Sequence, residues 1–357
     1  MTQSANLTER VPQRLVFVLG KGGVGRTTLA TSFARACALK GEKTLIVQWA
    51  LQDSVSLLFA KPTAGHDSEA IAENLWTMNF SPDEAIREYF IDHLKMRLVY
   101  NLVIENKHVQ RLIHAAPGVQ ELFFLGRLFW LICLSEEIRG TRFDRVIVDA
   151  QATGHGVSLF TVAPTIAQFG MTGPLASECD RVAKMLADPK LVGSMLVTLP
   201  EELPVEETLE FLPRLARDLG RPADALFVNR SLAPYMESNP AALDEQHVLN
   251  IWQRQLNSEK ALKALSLLHR DLRKRNHFET LLRSSVAKLF PQLPIISVPD
   301  IGLANPDAAA PAVLQGVTDW LTATATRADT QRNSPSPAAA QGHAAHSLAD
   351  EFSEDQR

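Results

Sequence analysis

The sequence predicts an α/β fold with a doubly wound, mostly parallel sheet. Short apolar runs alternate along the chain with longer stretches of helical periodicity, as in strands joined by crossover helices. The segment Arg145–Asp149 is a nearly continuous apolar run, which is the composition of a strand buried on both faces. A glycine-rich segment, Gly20–Thr28, separates the first apolar run from the first helical pattern. Because ligands bind beyond the carboxyl ends of the strands in such sheets, the segments that follow the strands form the candidate site.

The individual elements follow from the same patterns. The predicted strands are Leu15–Leu19, Lys43–Trp49, Phe143–Ala150, Gly193–Leu199, Ala225–Val228 and Pro294–Val298. The predicted helices in this alternating part are Thr27–Lys40, which Gly41 closes, Val205–Leu219 and Asp307–Leu321.

Two long helical stretches interrupt the alternation. The first spans Leu51–Gly140 and contains Ser81–Glu84, a serine cap followed by proline and two acids. The second, from about Ala241 to Phe290, is basic and amphipathic. Crossover connections are normally much shorter, so we predict a helical subdomain formed by about residues 62–140 and 235–290.

The predicted domain covers residues 14–324, after a flexible N-terminus over residues 1–13. From about Ala325 the composition changes to Ala, Ser, Pro, Gln and acids, which cannot bury enough apolar surface to order a segment. Residues 325–357 are therefore predicted to be a disordered tail.

Composition narrows the class of protein. The 357 residues carry a net charge of −4, so nothing in the overall charge attracts nucleic acid. The three cysteines are scattered, which predicts neither a disulfide framework nor a zinc site. Met1–Arg14 lacks the apolar core of a signal peptide, and Leu122–Leu134 is too short to span a bilayer. We expect a cytoplasmic protein without a transmembrane segment.

The glycine-rich segment predicts a phosphate-binding loop of the P-loop NTPase type. Glycines let backbone N–H groups converge on an anion, and the following helix adds the positive end of its dipole. The residues of this predicted cradle are Gly20, Gly22, Gly23, Val24, Gly25, Arg26, Thr27 and Thr28. Thr27 stands where a hydroxyl ligates nucleotide-bound Mg²⁺. Asp149, at the end of a neighbouring predicted strand, would hold the same metal. Thr27 and Asp149 favour a phosphate-binding loop over the alternative, in which the glycine-rich segment is an ordinary tight turn.

Several segments together resemble one family of ATPases. Lys21–Thr28 is similar to the deviant Walker A motif of the arsenite-efflux and tail-anchored-protein-targeting ATPases, the ArsA-like family. The other matching segments are Asp149–His155, which resembles the switch II motif, Ala116–Leu122, Val197–Thr208 and Phe227–Arg230. The resemblance covers roughly Leu15 to Leu321.

The resemblance implies roles for individual residues. Lys21 would be the signature lysine that reaches the nucleotide of a second subunit, so a homodimer or a heterodimer with a paralogue is expected. Asn229 would bind adenine, although an ordinary turn asparagine remains the alternative. Gly154 and His155 would belong to a switch that senses the γ-phosphate. The implied ligands are ATP and Mg²⁺.

Two departures from the family pattern concern catalysis. Arg26 replaces the usual lysine and keeps the positive charge with a different geometry. After the second strand, Ala50 stands at the position of the switch I aspartate, and only a shifted alignment would let Asp53 position the attacking water. The alternative is that Asp53 is an ordinary acidic residue of this loop and does not position water. Lys21, Arg26 and Asp53 are thus the candidate catalytic residues of a hydrolysis that could be slow.

Four functions remain open on the sequence. The leading one is an ATPase whose nucleotide state gates a helical subdomain that binds a protein or hydrophobic-helix client. The second is a regulatory partner that hydrolyses ATP poorly, and a partition-type ATPase or an arsenite pump subunit ranks lower. Leu122–Leu134 and Ile251–Leu268 are apolar enough to form a client groove, although core packing is the favoured explanation of both segments.

Overall fold

The computed structural model describes residues 7–93, 95–99, 101, 106–134, 142–150, 158–168, 174–236, 241, 244–255, 258–301 and 310–332. Its centre is an eight-stranded sheet in the order β3-β4-β2-β5-β1-β6-β7-β8. The strands are β1 Leu15–Gly20, β2 Thr44–Gln48, β3 Glu69–Ala72, β4 Leu75–Asn79, β5 Arg145–Asp149, β6 Val192–Thr198, β7 Ala225–Ser231 and β8 Ile295–Pro299. All neighbouring strands are parallel except the edge pair β3 and β4. The predicted α/β fold with a mostly parallel sheet is confirmed.

The helices follow the strands in alternation over most of the chain. They are α1 Leu7–Arg10, α2 Arg26–Leu39, α3 Ser54–Leu58, α4 Pro82–Glu88, α5 Arg97–Val99, α6 Lys107–Ala115, α7 Val119–Phe129, α8 Ser158–Gln168, α9 Pro174–Ala187, α10 Glu202–Leu219, α11 Ala233–Met236, α12 Glu245–Gln255, α13 Glu259–Leu289 and α14 Ala310–Arg332. The last helix continues well past the predicted end at Leu321. Residues 333–357 of the predicted tail lie outside the described residues.

The helical prediction for Leu51–Gly140 was wrong over Glu69–Asn79, where the chain forms two strands. β3 and β4 make an antiparallel hairpin, and Asn74 in the turn has φ of 53°. β4 pairs along its length with β2 and so extends the parallel sheet. After the short helix α3 and this hairpin, helices resume at α4, whose cap Ser81 accepts a hydrogen bond from the Glu84 N–H at 3.5 Å, as its sequence predicted.

The two faces of β1 contact different helical layers. Leu15, Phe17 and Leu19 face a core that includes α7, α9, α10 and α13, whereas Val16 and Val18 face α2 and α14. Since side chains alternate along a strand, β1 is covered on both sides and its carboxyl end lies in the middle of the molecule. This position places the loop after β1 at the centre of the sheet edge.

The region α4–α7 packs against the first of these layers. α7 buries Leu122, Phe124, Leu125 and Leu128 in the main core, so the core-packing interpretation explains most of Leu122–Leu134. A cavity of about 50 Å³ remains among α4, α7 and α9, lined mostly by apolar and aromatic side chains together with the charged residues Glu88, Arg127 and Glu178. Among the described helices, none is by itself long and apolar enough to cross a membrane, and only the bent pair His108–Ala115 and Val119–Leu134 passes that test jointly.

Candidate functional site: a glycine-rich loop at the carboxyl end of β1

The loop after β1 owes its shape to its glycines. Gly23 and Gly25 have φ of 85° and 83°, in the left-handed region that disfavours other residues. A Cβ at Gly20 would lie 2.6 Å from the carbonyl oxygen of Val197, and one at Gly25 would lie 2.2 Å from the Asn229 amide nitrogen. Glycine is therefore required at positions 20 and 25 by the approach of β6 and of the end of β7.

Thr27 and Asp149, the predicted metal-holding pair, lie in direct contact. The Thr27 hydroxyl donates to Asp149 Oδ2 at 2.6 Å. Asp149 ends β5, which lies next to β1 in the sheet, and this explains how residues far apart in sequence meet. A hydroxyl and a carboxylate are hard oxygen donors, so the pair fits Mg²⁺, which usually takes one or two protein oxygens and completes its shell with phosphates and water. Within the described ranges no group of three or more His, Cys, Asp or Glu side chains could hold a metal on its own.

Arg26 joins the loop to Asp149. Its Nε donates to Asp149 Oδ1 at 3.0 Å, and its Nη1 donates to the Gly20 carbonyl oxygen at 2.6 Å. Both charged side chains are largely buried, so their attraction is little screened by solvent. In this conformation the guanidinium neutralises Asp149 and closes the base of the loop.

Lys21 forms an ion pair with Glu207 of α10 in the same chain. Val197–Thr208 is one of the segments that resemble the ATPase family, but nothing in the sequence indicated that Glu207 lies beside Lys21. About half of the Lys21 side chain is exposed. Its predicted reach to a second subunit therefore requires this ion pair to open.

Asn229 closes the other side of the loop. Its side-chain amide donates to the Val24 carbonyl oxygen at 2.9 Å, and its Oδ1 accepts from the Arg230 N–H at 3.0 Å. The end of β7 is thereby held against the glycine-rich loop. The adenine-binding role of Asn229 stays a prediction, and the predicted switch residues Gly154 and His155 lie outside the described residues.

Asp53 is enclosed in its own loop. It is 2% exposed and caps α3. Its carboxylate accepts hydrogen bonds from the Ser56 N–H at 3.0 Å, the Ala64 N–H at 2.7 Å and the Gln48 amide at 2.6 Å. Burial opposes ionisation, but these hydrogen bonds outweigh it and lower the pKa of Asp53. The geometry favours the loop-acid alternative, and the water-positioning role stays a prediction.

Asn79 is a further residue of this loop that the sequence did not reveal. Its Oδ1 accepts from the Ala50 N–H at 3.0 Å, and its Nδ2 donates to the Ala50 carbonyl oxygen at 2.9 Å. Asn79 ends β4, which was missed, so its position beside the end of β2 could not be expected. The segment that follows β2 is thus fixed from both sides.

Replacing Asp53 with alanine is expected to lower the free energy of unfolding by about 1 kcal/mol at pH 7, because α3 loses its cap. Since folding lowers the pKa of Asp53, its contribution is present above the ordinary pKa of an aspartate and is lost as the pH falls through the lowered value. Urea unfolding at neutral and acidic pH should show this difference shrinking in acid, with the exposed Asp271→Ala as control. A variant with unchanged stability but abolished ATP hydrolysis would instead assign Asp53 to water positioning.

Comparison with known proteins agrees with this geometry. Residues 13–176, which include the loop after β1 and Asp149, match the family model described as Anion-transporting ATPase. This match supports an ArsA-like ATPase family for the chain. The ArsA-like chain is 29% identical over 237 residues to the ATPase BagA of Mycobacterium tuberculosis, covering 64% of this chain and 68% of the relative.

More distant relatives carry more specific names. The Arsenical pump-driving ATPase of Acidiphilium multivorum is 26% identical over 269 residues, which are 70% of this ArsA-like chain and 44% of the relative. ATPase ASNA1 homolog 1 of Paramecium tetraurelia is 26% identical over 172 residues, covering 46% and 48% of the two chains. The identities are similar, so they do not favour one branch of the family.

The cysteines do not form a cluster in the ArsA-like chain. Cys37 and Cys179 are buried and Cys133 is exposed, and all three are free thiols. Burial raises the pKa of Cys37 to about 12, which keeps it protonated at neutral pH. A soft-metal site needs clustered thiolates, so these positions give no support to binding of arsenite.

Proposed function

We propose that the ArsA-like chain binds Mg²⁺-ATP in the loop after β1 and uses the nucleotide state to control its helical layer. The observation that carries the proposal is the contact of Thr27 with Asp149 in the first turn of α2, next to a glycine-rich loop of the kind whose backbone N–H groups bind phosphate. The start of α2 adds the positive end of its dipole to the same place.

Each residue of the site has a proposed task. Backbone N–H groups of Gly22–Gly25 bind the phosphates, and Thr27 and Asp149 hold Mg²⁺. The metal would supply positive charge that stabilises the phosphates during transfer to water. Arg26 contributes a fixed positive charge beside Asp149, and Asn229 borders the loop on the side of β7. ATP and Mg²⁺ are the proposed ligands.

The ion pair of Lys21 with Glu207 supports a proposed role in dimer closure. In the closed dimer, Lys21 would leave Glu207 and approach the phosphates bound by the partner subunit, where a cation completes the site. Glu207 would hold the lysine while the subunits are apart. The proposed partner is a second copy of the chain or a paralogue.

The route from nucleotide to client is proposed to run through the segment after β5. This segment joins Asp149 to α8, and α8 contacts both α7 and α9. Gly154 and His155 belong to it by sequence. The cavity among α4, α7 and α9 and the exposed apolar side chains of α12 and α13 are the places where a protein or hydrophobic-helix client would bind.

A second candidate function is a regulatory subunit that binds ATP without hydrolysing it efficiently. The observations that favour it are the pairing of Arg26 with Asp149, the enclosure of Asp53, and the alanine at position 50, where the family pattern has the aspartate that orients water. This candidate shares the nucleotide site with the first and differs only in turnover.

Steady-state ATP hydrolysis by the purified protein separates the two candidates. If the chain is an ATPase, Thr27→Ala is expected to abolish a measurable rate, because the Mg²⁺-holding hydroxyl is lost. If it is a regulatory subunit, the native rate is at background and the double variant Arg26→Lys, Ala50→Asp raises it by about tenfold or more. The exposed variant Asp271→Asn serves as control in both cases. A native rate that Thr27→Ala leaves unchanged would contradict both.

A further inference from the structure

A basic groove runs along the exposed face of α13. It has a volume of about 700 Å³ and is bordered by Glu202 at the start of α10. Its positively charged or titratable side chains are Lys263, Arg270, Arg273, Lys274 and His277. These residues repeat at spacings of three, four and seven, so they share one face of the helix. The groove is thus a continuous strip of positive charge.

Most of this charge has no counterion among the described residues. Lys263, Arg270 and Lys274 form no ion pair with any residue in the described part of the chain, and Glu202 is the acidic side chain at the border. Like charges one turn apart on a helix repel each other. In a chain whose net charge is −4, such a strip is a local exception that an anionic ligand would stabilise.

Apolar side chains interleave with the charges. Leu267 lies in the groove and is 50% exposed, and Leu268 beside it is 48% exposed. Leu203, next to Glu202 in α10, is 67% exposed. A free phosphate would not use these surfaces. The chemistry therefore fits an acidic peptide segment that also carries large apolar side chains.

The other half of α13 fixes the groove to the sheet. Glu279 is buried and accepts hydrogen bonds from Ser231 at the end of β7, at 2.8 Å, and from Ser297 in the middle of β8, at 3.2 Å. Arg283 donates to the same carboxylate at 3.0 Å. The charged face is thereby presented by a helix that is anchored to the sheet, as a binding surface requires.

The chain contains a segment with the matching chemistry. Leu348–Asp355 carries four acidic residues around Phe352 and begins with a leucine. Extended chain spans about 3.3 Å per residue, so the residues between Arg332, at the end of α14, and Asp350 can span about 60 Å. We propose that Leu348–Asp355 binds in the basic groove of its own chain and covers the exposed face of α13.

Zero-length cross-linking of the full-length protein tests this contact. A water-soluble carbodiimide joins a lysine amine to a carboxylate only where the two touch, and mass spectrometry identifies the linked peptides. We expect Lys263 or Lys274 to be joined to the acidic residues of Leu348–Asp355. In an equal mixture of ¹⁵N-labelled and unlabelled protein, both linked peptides should carry the same label, because the contact lies within one chain.

Two perturbations and one control complete the experiment. Arg270→Glu keeps both lysines but should lower the yield of the links about fivefold, as expected for the loss of an ion pair. Sodium chloride at 1 M should lower the yield in the unaltered protein, since charges are then screened within about 3 Å. Lys288→Glu makes the same change of charge on α13 outside the groove and should leave the yield unchanged.

Three results would overturn the proposal. The first is the absence of these links in the unaltered protein. The second is a set of links that pair labelled with unlabelled peptides, which would place the segment in the groove of a second copy. The third is an equal yield of links from the segment to Lys260 or Lys288, which would show non-specific contact.

Discussion

Replacing Gly25 with aspartate is expected to weaken Mg²⁺-ATP binding at least about a hundredfold, because a side chain at this position collides with Asn229 and puts an uncompensated negative charge beside the phosphates. The backbone φ of 83° adds strain. A fluorescent ATP analogue titrated into the protein measures the change.

Gly41→Ala is the matched control for this variant. Gly41 follows α2 and has φ of 89°, so alanine there brings the same kind of backbone strain. A Cβ at Gly41 would meet no atom within 4 Å, and the residue is not part of the nucleotide loop. We expect a loss of about 1 kcal/mol in stability with unchanged nucleotide affinity. Unaltered affinity in Gly25→Asp would show that nucleotide binds elsewhere.

Replacing Asp149 with alanine is expected to remove Mg²⁺-ATP binding and to lower the free energy of unfolding by about 3 kcal/mol, since the largely buried Arg26 loses its carboxylate. Urea unfolding measures the stability. The free energy of unfolding of the double variant Arg26→Ala, Asp149→Ala should fall by less than the sum of the decreases in the two single variants, because neither charge is then left without its partner.

Asp144→Ala controls for the loss of an acid near β5. Asp144 precedes this strand at its other end and is exposed, although it accepts a hydrogen bond from the Lys43 N–H at 2.8 Å. Its replacement should cost no more than about 1 kcal/mol and leave nucleotide binding intact. If the double variant loses as much free energy of unfolding as the two single variants together, the contact of Arg26 with Asp149 does not stabilise the protein.

The sequence was sufficient for the parallel part of the fold. β1, β2 and β5 are short apolar runs bounded by polar residues and turns, so periodicity and composition located them closely. The hairpin of β3 and β4 was missed because β3 is only four residues long and buries only Ile71. Its stability comes from pairing with β4 and, through it, with β2, which are tertiary contacts that a local pattern does not encode. The one residue that could have indicated the hairpin is Asn74, which lies in the turn between β3 and β4 and is of a type that favours turns.

The candidate site was predictable in its parts but not in its contacts. The loop glycines and Asp149 could be recognised because their spacing and position after strands are what phosphate and metal binding require. The ion pair of Lys21 with Glu207 depends on how α10 packs beside the loop, and no local pattern specifies that packing. The enclosure of Asp53 by Ala64 likewise depends on the path of the chain after α3. The spacing of apolar residues along the sequence therefore could not predict the contact of Lys21 with Glu207 or that of Asp53 with Ala64.

Calorimetric titration of the full-length protein with ATP in the presence of Mg²⁺ tests the central claim most directly. The account predicts saturable binding at one site per chain, which disappears in Gly25→Asp and persists in Gly41→Ala. Absence of binding in the unaltered protein, or equal binding by Gly25→Asp, would contradict the assignment of the loop after β1 as an ATP site.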